Sequence, residues 1–279
     1  MNCDTTILVN TCDDYHDVLP IFFCAIQEFW KGHNFPINLN SEYNCYVHSE
    51  IDIFSHTVDK NENLNWGYRF KKTLSKLNHK FVINLADDYI LENIVEKKRI
   101  DRILRIMESN EDIGAIYLYP ILPIKEKMKR IFDDFVEIKH STPYRVNTSP
   151  AIWRKDFLTK LINEKDDPWS WEFFADYTKF SKTKKILSIS NDTSPIYQYA
   201  ANKGGGIYRG KWVEDVIKPK ILKYNLNIDL KKRSIFVKND KISRPFFWKL
   251  KFIFNGIRMT KLNFIMPIVN LYLRGKNNY

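Results

Sequence analysis

The sequence predicts an α/β protein with a mostly parallel central sheet flanked by helices. Three observations carry this. Short apolar, β-favouring runs (TILVN at 6–10, FVINL at 81–85, IGAIYL at 113–118) alternate with stretches of helical apolar spacing. Nine glycines in 279 residues are too few for an all-β chain rich in tight turns. Hydrophobic residues make up 44% of the chain and aromatics 15%, enough to fill a large core and to exclude global disorder.

Taken in order, residues 6–10 predict a buried strand, and TCDDY at 11–15 the loop that leaves it. Residues 18–29 have helical spacing, with Asp17 as a candidate N-cap and Pro20 in the first turn. A second strand is expected at 44–47. A helix follows at 66–77, with apolar positions at 66, 70, 74 and 77. The strand at 81–85 runs into Asp87-Asp88-Tyr89. A charged amphipathic helix spans 96–107, and a strand 113–118. Further on, 144–153 contains a strand and 154–163 a helix. The stretch 166–176 is aromatic and acidic, and 202–212 is a Gly-Gly-Gly loop with flanking cations.

Charge is distributed unevenly. Residues 231–279 hold twelve Lys/Arg and one acid, Asp240, so that segment accounts for the whole net charge of +11. The remainder is a neutral body. Basic tails seek anionic partners, whether lipid headgroups, nucleic acid or acidic proteins. The cysteines at 3, 12, 24 and 45 form no CxxC pair, which suits free thiols in a reducing compartment. No basic-then-apolar leader is visible at the N-terminus. The longest uncharged apolar run, 262–273, is shorter than the roughly 20 residues of a membrane span. The six histidines have no metal spacing and no partnered nucleophile.

Two adjacent carboxylates at the end of a buried strand need a reason. Ligands of parallel α/β sheets bind outside the carboxyl ends of strands. Adjacent acids repel there, and in a partly dry site one tends to protonate. A divalent cation carrying a diphosphate removes that cost, because Mg²⁺ and Mn²⁺ take hard oxygen ligands. The competing reading makes Asp87 the cap of a following helix and leaves Asp88 in solvent.

The order of the loop TCDDY, then WGYRFKKTL, FVINLADDYIL, YRVNTSPAIWRKDFL, DPWSWEF and GGGIYRGKW resembles a family of bacterial GT-A-fold glycosyltransferases of surface polysaccharide biosynthesis. The resemblance covers about residues 5–236. It implies a GT-A-like (Rossmann-like) catalytic domain over 1–236 and a basic, apolar helical extension over 237–279. The family's usual Asp-x-Asp is one residue longer than the Asp87-Asp88 pair here. Asp88 is therefore expected to be the direct metal ligand, with Asp87 acting on the metal or the donor. Thr11, Cys12 and Asp13 are expected at the base and ribose of a nucleotide. Arg69 and Lys211 are expected at the donor phosphates. The Gly-rich loop before Lys211 is expected to fold over the diphosphate.

Trp169 and Trp171, followed by Glu172, suit a sugar site, since aromatic faces pack on pyranose C–H groups. Glu172 is the expected base for an acceptor hydroxyl, with Asp176 in reserve. Arg145 is a candidate acceptor contact; a structural role for it is the alternative. For the tryptophans the alternative is a core aromatic cluster.

The resulting expectation is a cytoplasmic, nucleotide-sugar-dependent glycosyltransferase, inverting, with Mn²⁺ or Mg²⁺ and a lipid-linked or oligosaccharide acceptor. Residues 241–276 would attach it peripherally to an anionic membrane face. Their alternative uses are packing on the core or forming a dimer. A nucleotidyltransferase is the second enzyme reading, but TCDDYHD is not the Gly-rich basic loop of that class. A nucleic-acid-binding protein is disfavoured, because the charge lies only in the tail, among large apolar residues.

Overall fold

The computed structural model describes residues 4–121, 130–140, 142–237 and 244–261. Its elements, in chain order, begin with β1 (Thr5–Asn10), α1 (Leu19–Phe29), β2 (Ile37–Asn40), β3 (Ile53–His56), α2 (Trp66–Lys76) and β4 (Phe81–Ala86). Next come α3 (Lys97–Ser109), β5 (Ile113–Tyr117), β6 (Arg130–Ile131), β7 (Phe135–Glu137), β8 (Ala151–Arg154), α4 (Lys155–Leu161) and α5 (Pro168–Phe174). The chain continues through β9 (Lys185–Ile189), β10 (Ile207–Tyr208), β11 (Lys211–Trp212), α6 (Glu214–Lys223) and α7 (Phe246–Thr260).

Nine strands form one sheet in the order β3-β2-β1-β4-β8-β5-β9-β7-β6, and β10-β11 form a separate hairpin. β1 pairs in parallel with both β2 and β4, and β5 with β9; β8 runs antiparallel between β4 and β5. The sheet is thus the mostly parallel one the sequence predicts. Its strand order reverses beside β1: the chain moves outward through β2 and β3, then returns to place β4 on the other side. Such a reversal opens a crevice at the carboxyl ends of the two inner strands.

Strand alternation divides the core. Ile7, Val9, Ile83, Leu85 and Ile116 face the cluster that includes α1 and α3. Leu8, Val82, Ala115, Trp153 and Ile186 face the cluster of α2, α4 and Trp171. Near the crevice the α2 face turns polar. Asn84, Asn10 and Asn40 link three neighbouring strands through side-chain amide bonds of 2.8 Å, and Thr73 of α2 caps the row.

The expected strand at 44–47 does not form. The second and third strands are INLN and IFSH instead, because those segments extend the parallel ladder from β1. Asp17 does not cap α1; its carboxylate pairs with Arg233 at 2.6 Å. β6, β7, β9 and α6 go beyond the sequence expectation. The apolar run 262–273 lies outside the described residues. Among the described residues no helix is long and apolar enough to cross a membrane.

Candidate active site

β4 delivers Asp87 and Asp88 into a turn, and no helix begins before Lys97. Helix capping by Asp87 is therefore ruled out. Asp87 is buried and accepts a 2.5 Å hydrogen bond from the Thr11 hydroxyl, which closes the switch point between β1 and β4. Asp88 is half-buried, and its main chain carries the glycine loop. Gly206 N–H donates to the Asp88 carbonyl at 2.7 Å, and Val213 N–H to the Gly206 carbonyl at 3.0 Å. The β10-β11 hairpin, with Lys211 half-buried on it, thus hangs from the acidic turn. Gly205 has φ +86°, and a Cβ there would lie 2.8 Å from the Asp88 carbonyl oxygen, so only glycine permits this approach.

Glu172 enters the same edge from α5. The Thr148 amide and hydroxyl donate to its Oε1 at 2.8 and 2.5 Å. Tyr89 Oη lies 3.2 Å from the Thr148 hydroxyl, and the Tyr89 ring packs 4.5 Å from that of Tyr199. Burial raises the Glu172 pKa, and the Thr148 bonds pull it part of the way back. Burial also raises Asp87 and Asp88, and Asp88 is pushed higher by its neighbours Asp87 and Glu172. Three carboxylates therefore share one poorly solvated region, and each disfavours its own ionised form there.

Two adjacent hard carboxylate donors in a poorly solvated turn fit Mg²⁺ or Mn²⁺ with phosphate oxygens completing the shell. Asp88 would be the direct ligand, because one Asp87 oxygen is already held by Thr11. Among the described residues no group of three or more His, Cys, Asp or Glu side chains is arranged to hold a metal.

The remaining sequence candidates divide. Arg69 is buried; it donates to the Thr11 carbonyl at 3.1 Å and lies 3.6 Å from Glu42. It braces the first loop. Cys12 sits in that loop, its thiol pushed up to about 12 by burial and then by Asp87, so it stays neutral. The Asp13 carboxylate accepts from the Tyr43 and Asn44 amides and the Asn44 side chain, which holds the loop after β2.

Asp176, the reserve base, and Arg145, the acceptor-contact candidate, are corrected to an internal ion pair, which for Arg145 is the structural alternative. The two meet at 2.6 Å, with side chains 0% and 2% exposed. Arg145 also donates to the Ile138, Ser181 and Lys184 carbonyls. Trp171 is corrected as well: it is fully buried between Trp66 and Trp153 and donates to the Leu161 carbonyl. Trp169 is turned toward α7, against Trp248 and under Arg244.

Several residues at this edge escaped the sequence reading. Arg233 lies over the rings of Tyr15, at 4.7 Å, and Trp212, at 5.0 Å, and is close enough to Asp87 to favour its ionised form. Its main chain is brought there by the Trp212–Ser234 and Phe236–Trp212 backbone bonds. In the sequence Arg233 belongs to a Lys-Lys-Arg run that reads as solvated charge. Tyr199 carries no motif, and Thr148 falls within YRVNTSPAIWRKDFL without being singled out there. A cavity of about 290 Å³ lies elsewhere, between the end of α1 and α3, lined by Trp30, His33, Phe35 and Leu104 among others. Its lining includes none of Asp87, Asp88 and Glu172.

No protein-family model and no curated protein sequence matches the chain. Solved structures similar to it include S. aureus TarS 1–349 in complex with UDP-GlcNAc, at 11% identity and TM-score 0.44, covering 82% of this chain and 68% of that one. Another is the mannosyltransferase PcManGT from Pyrobaculum calidifontis in complex with GDP-Man and Mn²⁺, at 10% identity and TM-score 0.43, covering 67% and 55%. A third is the 2-C-methyl-D-erythritol 4-phosphate cytidylyltransferase from Thermus thermophilus, at 8% identity and TM-score 0.44, covering 77% and 97%. Likeness of this degree leaves function to be argued from the site.

Proposed function

We propose that the chain is a glycosyltransferase that moves a sugar from a nucleoside-diphosphate donor to a hydroxyl of a surface glycan, such as a capsule, O-antigen or lipooligosaccharide. The observation that carries this reading is the placement of Glu172 within electrostatic reach of Asp88, at the carboxyl edge where strand order reverses. An acid poised opposite a diphosphate-binding pair suits group transfer to a hydroxyl. Glu172 takes the acceptor proton as the acceptor oxygen bonds to the anomeric carbon and the bond to the diphosphate breaks, with inversion. Asp88, with Asp87, would hold a divalent cation, which would supply charge neutralisation at the leaving diphosphate. Lys211 and Arg233 are the protein's own cations for that role. Thr11 and Cys12 line the nucleotide side, and Arg69 keeps that loop in place.

The test is a thermal-shift panel of nucleoside diphosphates and their sugars, with and without Mn²⁺, run on the native chain and on Glu172→Gln. A ligand at 100 times its Kd stabilises the fold by about 2.7 kcal/mol. The native chain should be stabilised by one donor in the presence of metal. Glu172→Gln should keep that stabilisation and lose transfer by roughly 10²–10⁴-fold. Near-normal turnover in the variant removes Glu172 as base. Release of pyrophosphate from a nucleoside triphosphate would reassign the chain as a nucleotidyltransferase.

A further inference from the structure

Helix α7 is fastened along one face and, among the described residues, exposed along the other. Asn255, buried, donates to Asp167 Oδ2 at 2.7 Å and to Ser170 Oγ at 3.2 Å. Arg258 donates to the buried Asp166 at 2.5 Å. Gly256 meets Phe174 so closely that a Cβ would fall 2.5 Å from its ring. Phe252 packs on Phe173 and Phe174, and Trp248 on Trp169. Directional polar bonds combined with a close helix contact fix the rotation of α7 about its axis.

That rotation sends the other face outward. Phe246, Phe247, Leu250, Ile253, Phe254 and Ile257 are between 41% and 81% exposed. Their spacing places them in one stripe along a helix. Apolar side chains scattered singly on a surface are ordinary; six large ones in a contiguous row mark an interaction face. Lys249 and Lys251 are exposed at its borders and Lys261 at its end. No Asp or Glu occurs from 246 to 261.

We propose that this face docks α7 on a bilayer surface containing anionic phospholipid. The aromatic and aliphatic stripe enters the boundary between headgroups and acyl chains, and the lysines meet headgroup phosphates. Charge complementarity selects this occupant. A second copy pairing through the same stripe would bring two all-basic helices together, since a two-fold interface matches a patch with itself. Docking also orients the catalytic edge. Asp167 caps α5 through the Ser170 amide, and α5 carries Glu172, so α7 holds that helix in a set relation to the lipid plane.

The experiment is co-sedimentation of the full chain with phosphatidylcholine vesicles, with and without phosphatidylglycerol, at low and high salt. Binding should require phosphatidylglycerol and weaken with salt. Lys249→Gln should weaken it roughly five-fold. The double variant Phe247→Ser/Phe254→Ser should abolish it while leaving nucleotide stabilisation of the fold unchanged, since neither residue belongs to the catalytic edge. Absence of vesicle binding, or equal binding by the double variant, overturns the proposal. So does a native dimer in light scattering that this variant converts to monomer, which assigns the face to a second copy. Protection of a thiol introduced by Phe254→Cys from a water-soluble maleimide, in vesicle-free monomer, overturns it too, because residues 262–279 of the chain itself would then be the cover. Each readout is independent of whether the chain transfers sugar.

Discussion

Glu172 is the residue whose chemistry is most exposed to test. The proposed base works only when ionised, and burial raises the Glu172 pKa above an ordinary glutamate's. Activity should therefore fall as the pH drops through that raised value, with the acid limb of kcat/KM displaced upward from an ordinary glutamate's. The Thr148 hydrogen bonds oppose the shift. Thr148→Val removes the hydroxyl bond, keeps the amide bond, and should move the limb further up. An unmoved limb in a pH–rate profile would detach Glu172 from the titration. Asp88 is raised as well, first by burial and then by its neighbours Asp87 and Glu172, at an energetic cost to the fold. Asp88→Asn should raise Tm, by about 2–4 °C per kcal/mol of repulsion relieved. The same variant should lose metal-dependent nucleotide stabilisation. A protein that is more stable and inactive is the signature of a strained functional site.

At the scale of elements, α5 explains why the tryptophan reading failed. Residues two apart share a face on a strand but point nearly opposite ways on a helix. Pro168–Phe174 is a helix, so it distributes its side chains: Trp171 to the core, Trp169 to α7, Glu172 to Thr148 at the edge that carries Asp88. The two tryptophans cannot stack on one sugar. The glycine loop shows the converse, a flexible-looking sequence that folds into a hairpin anchored to Asp88. Gly205→Ala would force a Cβ against the Asp88 carbonyl at a backbone angle that alanine disfavours. Donor affinity measured by calorimetry should drop while overall stability changes by only about 1–3 kcal/mol. Unchanged affinity would mean the hairpin does not shape the donor side.

At the scale of the molecule, the buried Arg145–Asp176 pair joins segments that are far apart in the chain. Arg145 collects carbonyls from 138, 181 and 184, and the Tyr117 hydroxyl ties its own carbonyl to the Asn147 amide, one residue before Thr148. Arg145→Met leaves Asp176 as a buried charge facing His140 at 3.8 Å. Loss of about 3–5 kcal/mol is expected from denaturant midpoints. Arg145→Met combined with Asp176→Leu should recover part of it, because removing both charges spares the desolvation cost.

The amino-acid order by itself determined the class of fold, since apolar periodicity is local: strands at β1, β4 and β5 and helices at α1, α2 and α3 follow from patterns within single segments. It also placed Asp87 and Asp88, because a strand end is local too. The competing fates of those carboxylates, and of every other candidate, were decided by partners distant in the chain. Asn40 and Asn10 lie thirty residues apart, Thr11 and Asp87 seventy-six, and Asp17 and Arg233 more than two hundred. β2 and β3 are strands because β1 offers them a ladder, against weak signals of their own. Trp171 and Arg145 are the same side chains in either role; burial between elements made them structural. Local sequence sets what a segment can become, while desolvation and pairing, which need the assembled sheet, set what each polar group does.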